Sequence, residues 1–118
     1  MDSTEERAID EWHAAVNAGD LRRAAEAVGD PVVVLGPKGA GSISPQEFAD
    51  WVARSGIRLQ PRTRHLIGQR LVVVEQDATW PGSDAPTRVA TVFRVANAKA
   101  TAALRLPNLE AALQLASV

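Results

Sequence analysis

Two histidines are the side chains of this sequence best suited to proton transfer. His65 lies in a segment of alternating residues and has the same strand parity as Ile57 and Leu59, which predicts that it points inward. A neutral imidazole there could act as acid or base near neutral pH. The alternative is a hydrogen-bonded histidine in a pocket wall with no catalytic role. His13 lies off the apolar stripe of a predicted helix, so we expect it to face solvent.

Paired carboxylates are a second candidate for acid–base chemistry, since Glu75 and Asp77 share one strand face. They lie opposite Val74 and Trp80, whose face we take to be the inner one. We therefore interpret the pair as a solvated outer edge or the rim of an interface. The two histidines have no partner at a metal-ligand spacing, so we predict no metal site. The sequence has no cysteine, which excludes a thiol nucleophile. We expect no cofactor.

A group of arginines is the third candidate. Arg58, Arg62 and Arg64 alternate along one strand, with Arg70 nearby, and we assign them to an outward face. Guanidinium groups match carboxylates and phosphates, so an anion-binding strip is one interpretation. The other is a charged strand face that discourages edge pairing with other chains.

Helical periodicity dominates the first half of the chain. Apolar residues recur at i, i+3 and i+4 in a first helix that ends at Gly19. Asp20 is the predicted N-cap of a second helix over Leu21–Val28. Ser44 followed by Pro45 begins a third helix.

Strands fill most of the remaining sequence, and the first, Val32–Leu35, runs into a Gly/Pro-rich turn. Later strands are predicted from Ile57 onward and then over Leu71–Trp80, Thr87–Val95 and Ala100–Leu106. A last short helix is predicted over Leu109–Ala116. Helices grouped before strands predict a single α+β domain over residues 1–118, with a curved antiparallel sheet. Both faces of Thr87–Val95 are apolar, so we expect a homodimer to cover the face that the helices leave open.

Four segments in this order resemble the NTF2-like superfamily, and more closely small bacterial proteins related to SnoaL and ketosteroid isomerase. The segments are Val16–Leu21, Gly36-Pro37, Ala90–Val95 and Leu109–Leu113. The resemblance implies a cone-shaped, cystatin-like α+β barrel, in which a curved sheet wraps around helices and leaves a pocket open at one end. It also implies frequent homodimers. Members include isomerases, cyclases, dehydratases, epoxide hydrolases and proteins without known chemistry, so the fold does not settle the function.

The resemblance also allows the isomerase chemistry to be checked. Ketosteroid isomerase uses a tyrosine, a base aspartate and a second acidic donor, and the matching positions here hold Trp12, Gly36 and Thr91. Gly36 cannot accept a proton, so we reject isomerase catalysis of that type. SnoaL-type cyclases use a pocket aspartate supported by a histidine, and His65 is the candidate for such a role.

We therefore expect an NTF2-like protein that binds a small apolar organic ligand in an internal pocket and lacks the catalytic residues of ketosteroid isomerase, which favours binding over catalysis. Aromatic residues on apolar faces are as a rule core, but in a cone-shaped fold core and pocket wall nearly coincide. The predicted ligand-binding residues are Trp12, Phe48, Trp51, His65, Trp80, Thr91 and Phe93. Two alternatives stay open: a cyclase, isomerase or dehydratase that uses His65, and a protein-interaction module that uses the open sheet face.

Charge and composition exclude several other classes of function. The net charge is −1, which does not favour binding to a nucleic-acid backbone. The acidic start carries no apolar signal segment, and no apolar run approaches the length of a membrane span, so we expect a cytoplasmic protein. Only two of the 13 basic residues are lysines, Lys38 and Lys99, a bias that fits a GC-rich bacterial genome.

Overall fold

A computed structural model describes residues 4–36, 39–68 and 71–117. Pro37 of the predicted turn and Arg70 of the predicted arginine group lie outside these ranges. In chain order the elements are α1 (Thr4–Ala18), α2 (Leu21–Glu26), β1 (Val28–Gly36), β2 (Gly39–Ile43), α3 (Pro45–Ser55), β3 (Arg58–Ile67), β4 (Leu71–Thr79), β5 (Thr87–Ala96), β6 (Lys99–Leu106) and α4 (Leu109–Ala116). Among the helices described, none is long and apolar enough to cross a membrane.

The helix boundaries follow the predicted capping residues. The Asp20 carboxylate accepts hydrogen bonds from the backbone N–H groups of Arg22 and Arg23, at 3.0 and 3.1 Å. Ser44 and Glu47 form a reciprocal capping box at the start of α3. Helix α2 ends at Glu26, earlier than predicted, because the chain already pairs with the sheet from the next residues onward.

The six strands form one curved sheet in the order β2-β1-β6-β5-β4-β3. All neighbouring strands are antiparallel except β1 and β6, which run parallel. The predicted α+β architecture is confirmed, with this one parallel pair as a departure from the predicted antiparallel sheet.

The sheet has two faces, each with its own apolar cluster. The inner face carries Val72, Val74 and Ala78 and packs against α1, α2 and α3. The outer face carries Val73 and Val92 and packs against α4. The chain's own last helix thus supplies part of the cover that we assigned to a second copy. Homodimerisation stays a prediction.

An irregularity in β3 changes which residues face inward. The pairing of β3 with β4 shifts between Pro61 and Thr63. Before the shift Leu59 lies opposite Ala78 on the inner face, whereas after it His65 lies opposite Val73 on the outer face. One extra residue in a strand reverses the alternation of every side chain that follows. The prediction that His65 points inward is wrong for this reason.

The same irregularity separates the arginines that we assigned to one face. Arg62 forms an ion pair with Asp77 on the outer face, while Arg64 lies opposite Val74 and pairs with Asp10 of α1. Arg58 donates to the backbone carbonyls of its own turn. These arginines therefore form no continuous anion-binding strip.

Candidate ligand-binding site

A cavity of about 410 Å³ lies between the inner face of the sheet and helices α1 and α3. Its volume falls in the range of small-molecule sites. The apolar part of its wall consists of Trp12, Val34, Leu35, Ile43, Phe48, Trp51, Leu59 and Ala103. Thr91 and Arg105 add polar groups from the sheet, and Glu47 and Arg54 lie at the exposed rim. A larger depression of about 560 Å³ runs along α4, but residues of that helix and Ser117 alone line it, so it is open surface.

The predicted aromatic residues separate into wall and core. Trp12, Phe48 and Trp51 line the cavity, as does Thr91. Phe93 is fully buried behind Trp12, whose ring it meets edge-on at 4.8 Å between centroids. It does not line the cavity. Trp80 lies at its margin, where its ring contacts the guanidinium group of Arg105. The structure thus brings together four of the seven predicted ligand-binding residues, and Trp80 joins them through Arg105.

A chain of hydrogen bonds with a fixed direction lies below Thr91. The Ile9 carbonyl can only accept, so His13 donates from Nδ1 at 2.8 Å and presents its Nε2 as an acceptor. Gln76 donates to that Nε2 at 2.8 Å, and its Oε1 accepts the Thr91 hydroxyl at 2.7 Å. The hydroxyl proton of Thr91 is therefore committed to Gln76. The oxygen of Thr91 offers only acceptor capacity to any further partner.

His13 is part of this buried chain, and the prediction that it faces solvent is wrong. Its side chain is 4% exposed. Helix α1 buries two adjacent rows, because the inner face of the curved sheet contacts Trp12 and His13 alike. Burial lowers the pKa of His13 to about 4, against the opposing effect of the hydrogen bond to Ile9. The ring is therefore neutral near neutral pH.

His65 is remote from the cavity wall. Its Nε2 lies 3.1 Å from the Thr63 hydroxyl, which in turn lies 3.4 Å from the Glu75 carboxylate. These groups share the half-exposed outer face of β3 and β4. A catalytic role for His65 depended on an inward direction, whereas the side chain lies on the outer face.

Arg105 is the functional candidate that the sequence analysis missed. Its side chain projects from β6 beside Thr91, which lies directly opposite it on β5. The guanidinium carbon lies 5.8 Å from the Trp51 ring centroid and 5.5 Å from that of Trp80. Burial lowers the pKa of Arg105. One signal was available: Arg105 is the only charged residue in the predicted strand Ala100–Leu106.

Two buried donor atoms around the cavity have no hydrogen-bond partner among the described residues. They are Nε1 of Trp12 and Nη1 of Arg105. Buried polar groups are almost always paired in folded proteins, so each exception needs an explanation. Both side chains line the cavity, so both unpartnered donors belong to its wall.

The acidic residues on the outer face form ion pairs with arginines. As predicted, Glu75 and Asp77 lie on the face opposite the inner one. On this outer face Arg62 and Arg88 both pair with Asp77, at 2.5 Å. Hydrogen bonds from Arg88 and Arg62 lower the pKa of Asp77. Within the described parts of the chain, no group of three or more histidine or acidic side chains could hold a metal ion.

Comparison with known proteins gives the fold. The sequence matches no family model and no curated protein. Solved structures match over nearly the whole chain. An NTF2-like protein of unknown function from Cytophaga hutchinsonii is 12% identical, with 96% of each chain covered and a TM-score of 0.76. TerC, co-crystallised with polyporic acid, is 21% identical, with 98% of this chain and all of that chain covered and a TM-score of 0.73.

An enzyme is also among the similar structures. A LEH-like epoxide hydrolase from M. tuberculosis is 18% identical, with 94% of this chain and 87% of that chain covered and a TM-score of 0.71. At such identities the likeness shows the fold alone, which is NTF2-like as the resemblance implied. It transfers no activity to this chain.

Proposed function

We propose that this protein binds a small, largely apolar organic molecule in the cavity between α1, α3 and the inner face of the sheet. The observation that carries the proposal is the cavity wall itself. It combines about 410 Å³ of space, an apolar and aromatic lining, and a few polar groups directed at one volume. That combination is typical of small-molecule sites in proteins.

The similar structures support binding as the type of function. One of them, TerC, was crystallised with a small organic compound, polyporic acid. The comparison adds a precedent for the fold and leaves the ligand of this chain to be determined from its own side chains.

Intrinsic fluorescence offers a direct test, because all three tryptophans of the chain line the cavity or contact Arg105. We expect planar two-ring and steroid probes to change this fluorescence in a saturable manner. The Ala103→Leu variant should weaken binding by about tenfold or more, since it adds three carbons to the cavity wall.

Ala102→Leu is the matched control for that variant. Ala102 is the neighbouring residue of β6 and has the opposite strand parity, so its side chain faces away from the cavity. This variant should bind like the wild type. Binding that survives in Ala103→Leu, or no binding by any probe, would contradict the proposal.

Catalysis through His65 is not favoured, because His65 and Glu75 lie on the outer face, remote from the cavity wall. The acidic residue that lines the cavity, Glu47, is at its exposed rim and caps α3. The described wall therefore offers no buried carboxylate for acid–base work. The proposal is accordingly limited to binding.

Self-association is the second part of the proposal. Leu104, Leu106 and Leu113 are only partly buried on the outer face, and Leu115 of α4 is 41% exposed. A second copy would cover these side chains. Sedimentation velocity should give a dimer that Leu115→Glu weakens. A wild-type monomer would contradict this and favour a different protein as partner of that face. The cytoplasmic location stays a prediction.

A further inference from the structure

Among the arginines that the structure describes, Arg105 is the one that is shielded from solvent without an acidic partner. Arg22, Arg23, Arg62, Arg64 and Arg88 each form an ion pair with a carboxylate. Within the described parts of the chain, no ion pair involves Arg105, and its buried Nη1 has no hydrogen-bond partner. A guanidinium group in low dielectric without a counter-charge is costly to the fold.

The surroundings of Arg105 restrict which of its groups can bind a ligand. The rings of Trp51 and Trp80 hold the guanidinium group by cation–π contact. A guanidinium group that stacks on aromatic rings keeps its in-plane N–H groups as donors, and Nη1 has no partner among the described residues. These N–H groups form a planar fork that matches the two oxygens of a carboxylate.

The other polar groups of the cavity are one further donor, one acceptor and two charged groups at the rim. Trp12 is 4% exposed, and its unpartnered Nε1 is a second donor in the same wall. Thr91 lies next to Arg105 across the β5–β6 pairing and offers only acceptor capacity, because its proton is committed to Gln76. The other charged residues of the wall, Glu47 and Arg54, have opposite signs and lie at the exposed rim. Among the described residues, the one charge inside this mostly apolar wall is therefore positive.

We propose that the ligand of this cavity is an organic carboxylate: an apolar ring system with one carboxylate group that accepts hydrogen bonds from Arg105, and with its rings against Trp12, Phe48 and Trp51. This inference rests on the proposed function, because it assigns a chemical class to the ligand of the same cavity. A hydroxyl group elsewhere on the ligand would find its acceptor in Thr91.

Calorimetric titration with three matched probes tests the inference. The probes are 2-naphthoate, its uncharged methyl ester and 2-naphthol, which share the same two rings. The wild type should bind the carboxylate at least about tenfold more tightly than the ester, since hydrogen bonds to charged groups are the stronger kind. It should also prefer the carboxylate to 2-naphthol, which tests whether a hydroxyl group alone suffices.

Two variants of Arg105 identify the group responsible. Arg105→Met replaces the charged side chain by an apolar one of similar length, and this variant should bind carboxylate and ester equally. Arg105→Lys keeps the charge without the planar fork and should show an intermediate preference. Arg88→Met removes an arginine of the outer face instead and should keep the wild-type preference to within about twofold. Circular dichroism confirms that each variant is folded.

The possible failures are distinguishable. Equal binding of carboxylate and ester by the wild type would overturn the carboxylate inference and leave the proposed binding function intact. A preference that persists in Arg105→Met would overturn the role of Arg105. If none of the three probes, nor any steroid probe, binds the wild type, both the inference and the proposed function fail.

Discussion

Arg88 and Arg105 lie on neighbouring strands of one sheet, but on opposite faces and in opposite electrostatic settings. On the outer face Arg88 donates to Asp77 at 2.5 Å and lies 3.6 Å from Glu75. On the inner face Arg105 has two tryptophan rings as neighbours and forms no ion pair with any residue that the structure describes. The outer charges neutralise each other, whereas the inner charge is directed at a cavity.

This difference separates residues that maintain the surface from residues available for binding. Exposed ion pairs contribute little to stability and suit a solvated strand face. An unpaired charge in an apolar wall costs stability unless a ligand supplies the missing partner. The inner face thus contains the polar groups that folding alone does not explain, and each of the following predictions tests one part of this contrast.

The largest effect should come from the core behind the cavity. Phe93→Ala should lower the free energy of unfolding by about 3–5 kcal/mol, because it removes a fully buried ring that packs against Trp12. Trp51→Ala, at the mouth and 36% exposed, should cost much less stability and should affect ligand binding instead. Urea unfolding of both variants checks this. Equal losses would mean that the cavity wall and the core are not separate.

The buried His13 should make stability depend on pH. Below pH 6.5 the unfolded chain takes up a proton at His13, whereas the folded chain does so only near pH 4. The free energy of unfolding should therefore fall by about 3 kcal/mol as the pH drops from 6.5 towards 4. Urea unfolding at several pH values measures the decrease.

A variant of His13 shows where that pH dependence arises. His13→Gln should flatten the curve over this range, because an amide does not titrate while its oxygen still accepts from Gln76. A flat wild-type curve would contradict the burial of His13, and a pH dependence that persists in His13→Gln would assign the effect to other groups.

The outer ion pairs should give a smaller effect that depends on salt. Arg88→Met leaves Asp77 with Arg62 as its remaining arginine partner and should slightly lower the melting temperature at low ionic strength. The difference from the wild type should disappear in concentrated salt. A large loss that salt does not reduce would show that this cluster stabilises the fold in its own right.

Much of the fold was accessible from the sequence because it depends on local patterns. The capping residues Asp20 and Ser44, the apolar helix stripes and the strand alternation each predict an element that the structure contains. The resemblance to NTF2-like proteins, which rested on the order of these elements, is confirmed at the level of the fold.

The site was less accessible because it depends on long-range geometry. The shift in β3 between Pro61 and Thr63 reverses the direction of His65. Pro61 is a local sign of an edge strand or a bulge, but it does not indicate how the pairing shifts. The burial of His13 depends on how far the curved sheet wraps around α1. In the sequence, Arg105 was visible only as a lone charge in an apolar strand. Its importance follows from its buried Nη1, which has no hydrogen-bond partner among the described residues.

The most direct test of this account compares the unfolding free energies of the wild type and Arg105→Met, each with and without 2-naphthoate. Without the compound, Arg105→Met should be at least as stable as the wild type, since it replaces an unpaired, partly buried charge by an apolar group. With the compound, the wild type should be stabilised more than Arg105→Met, because it binds the carboxylate more tightly. An Arg105→Met variant that is markedly less stable without any ligand, or that gains as much from the compound as the wild type, would contradict the claim that Arg105 serves a ligand.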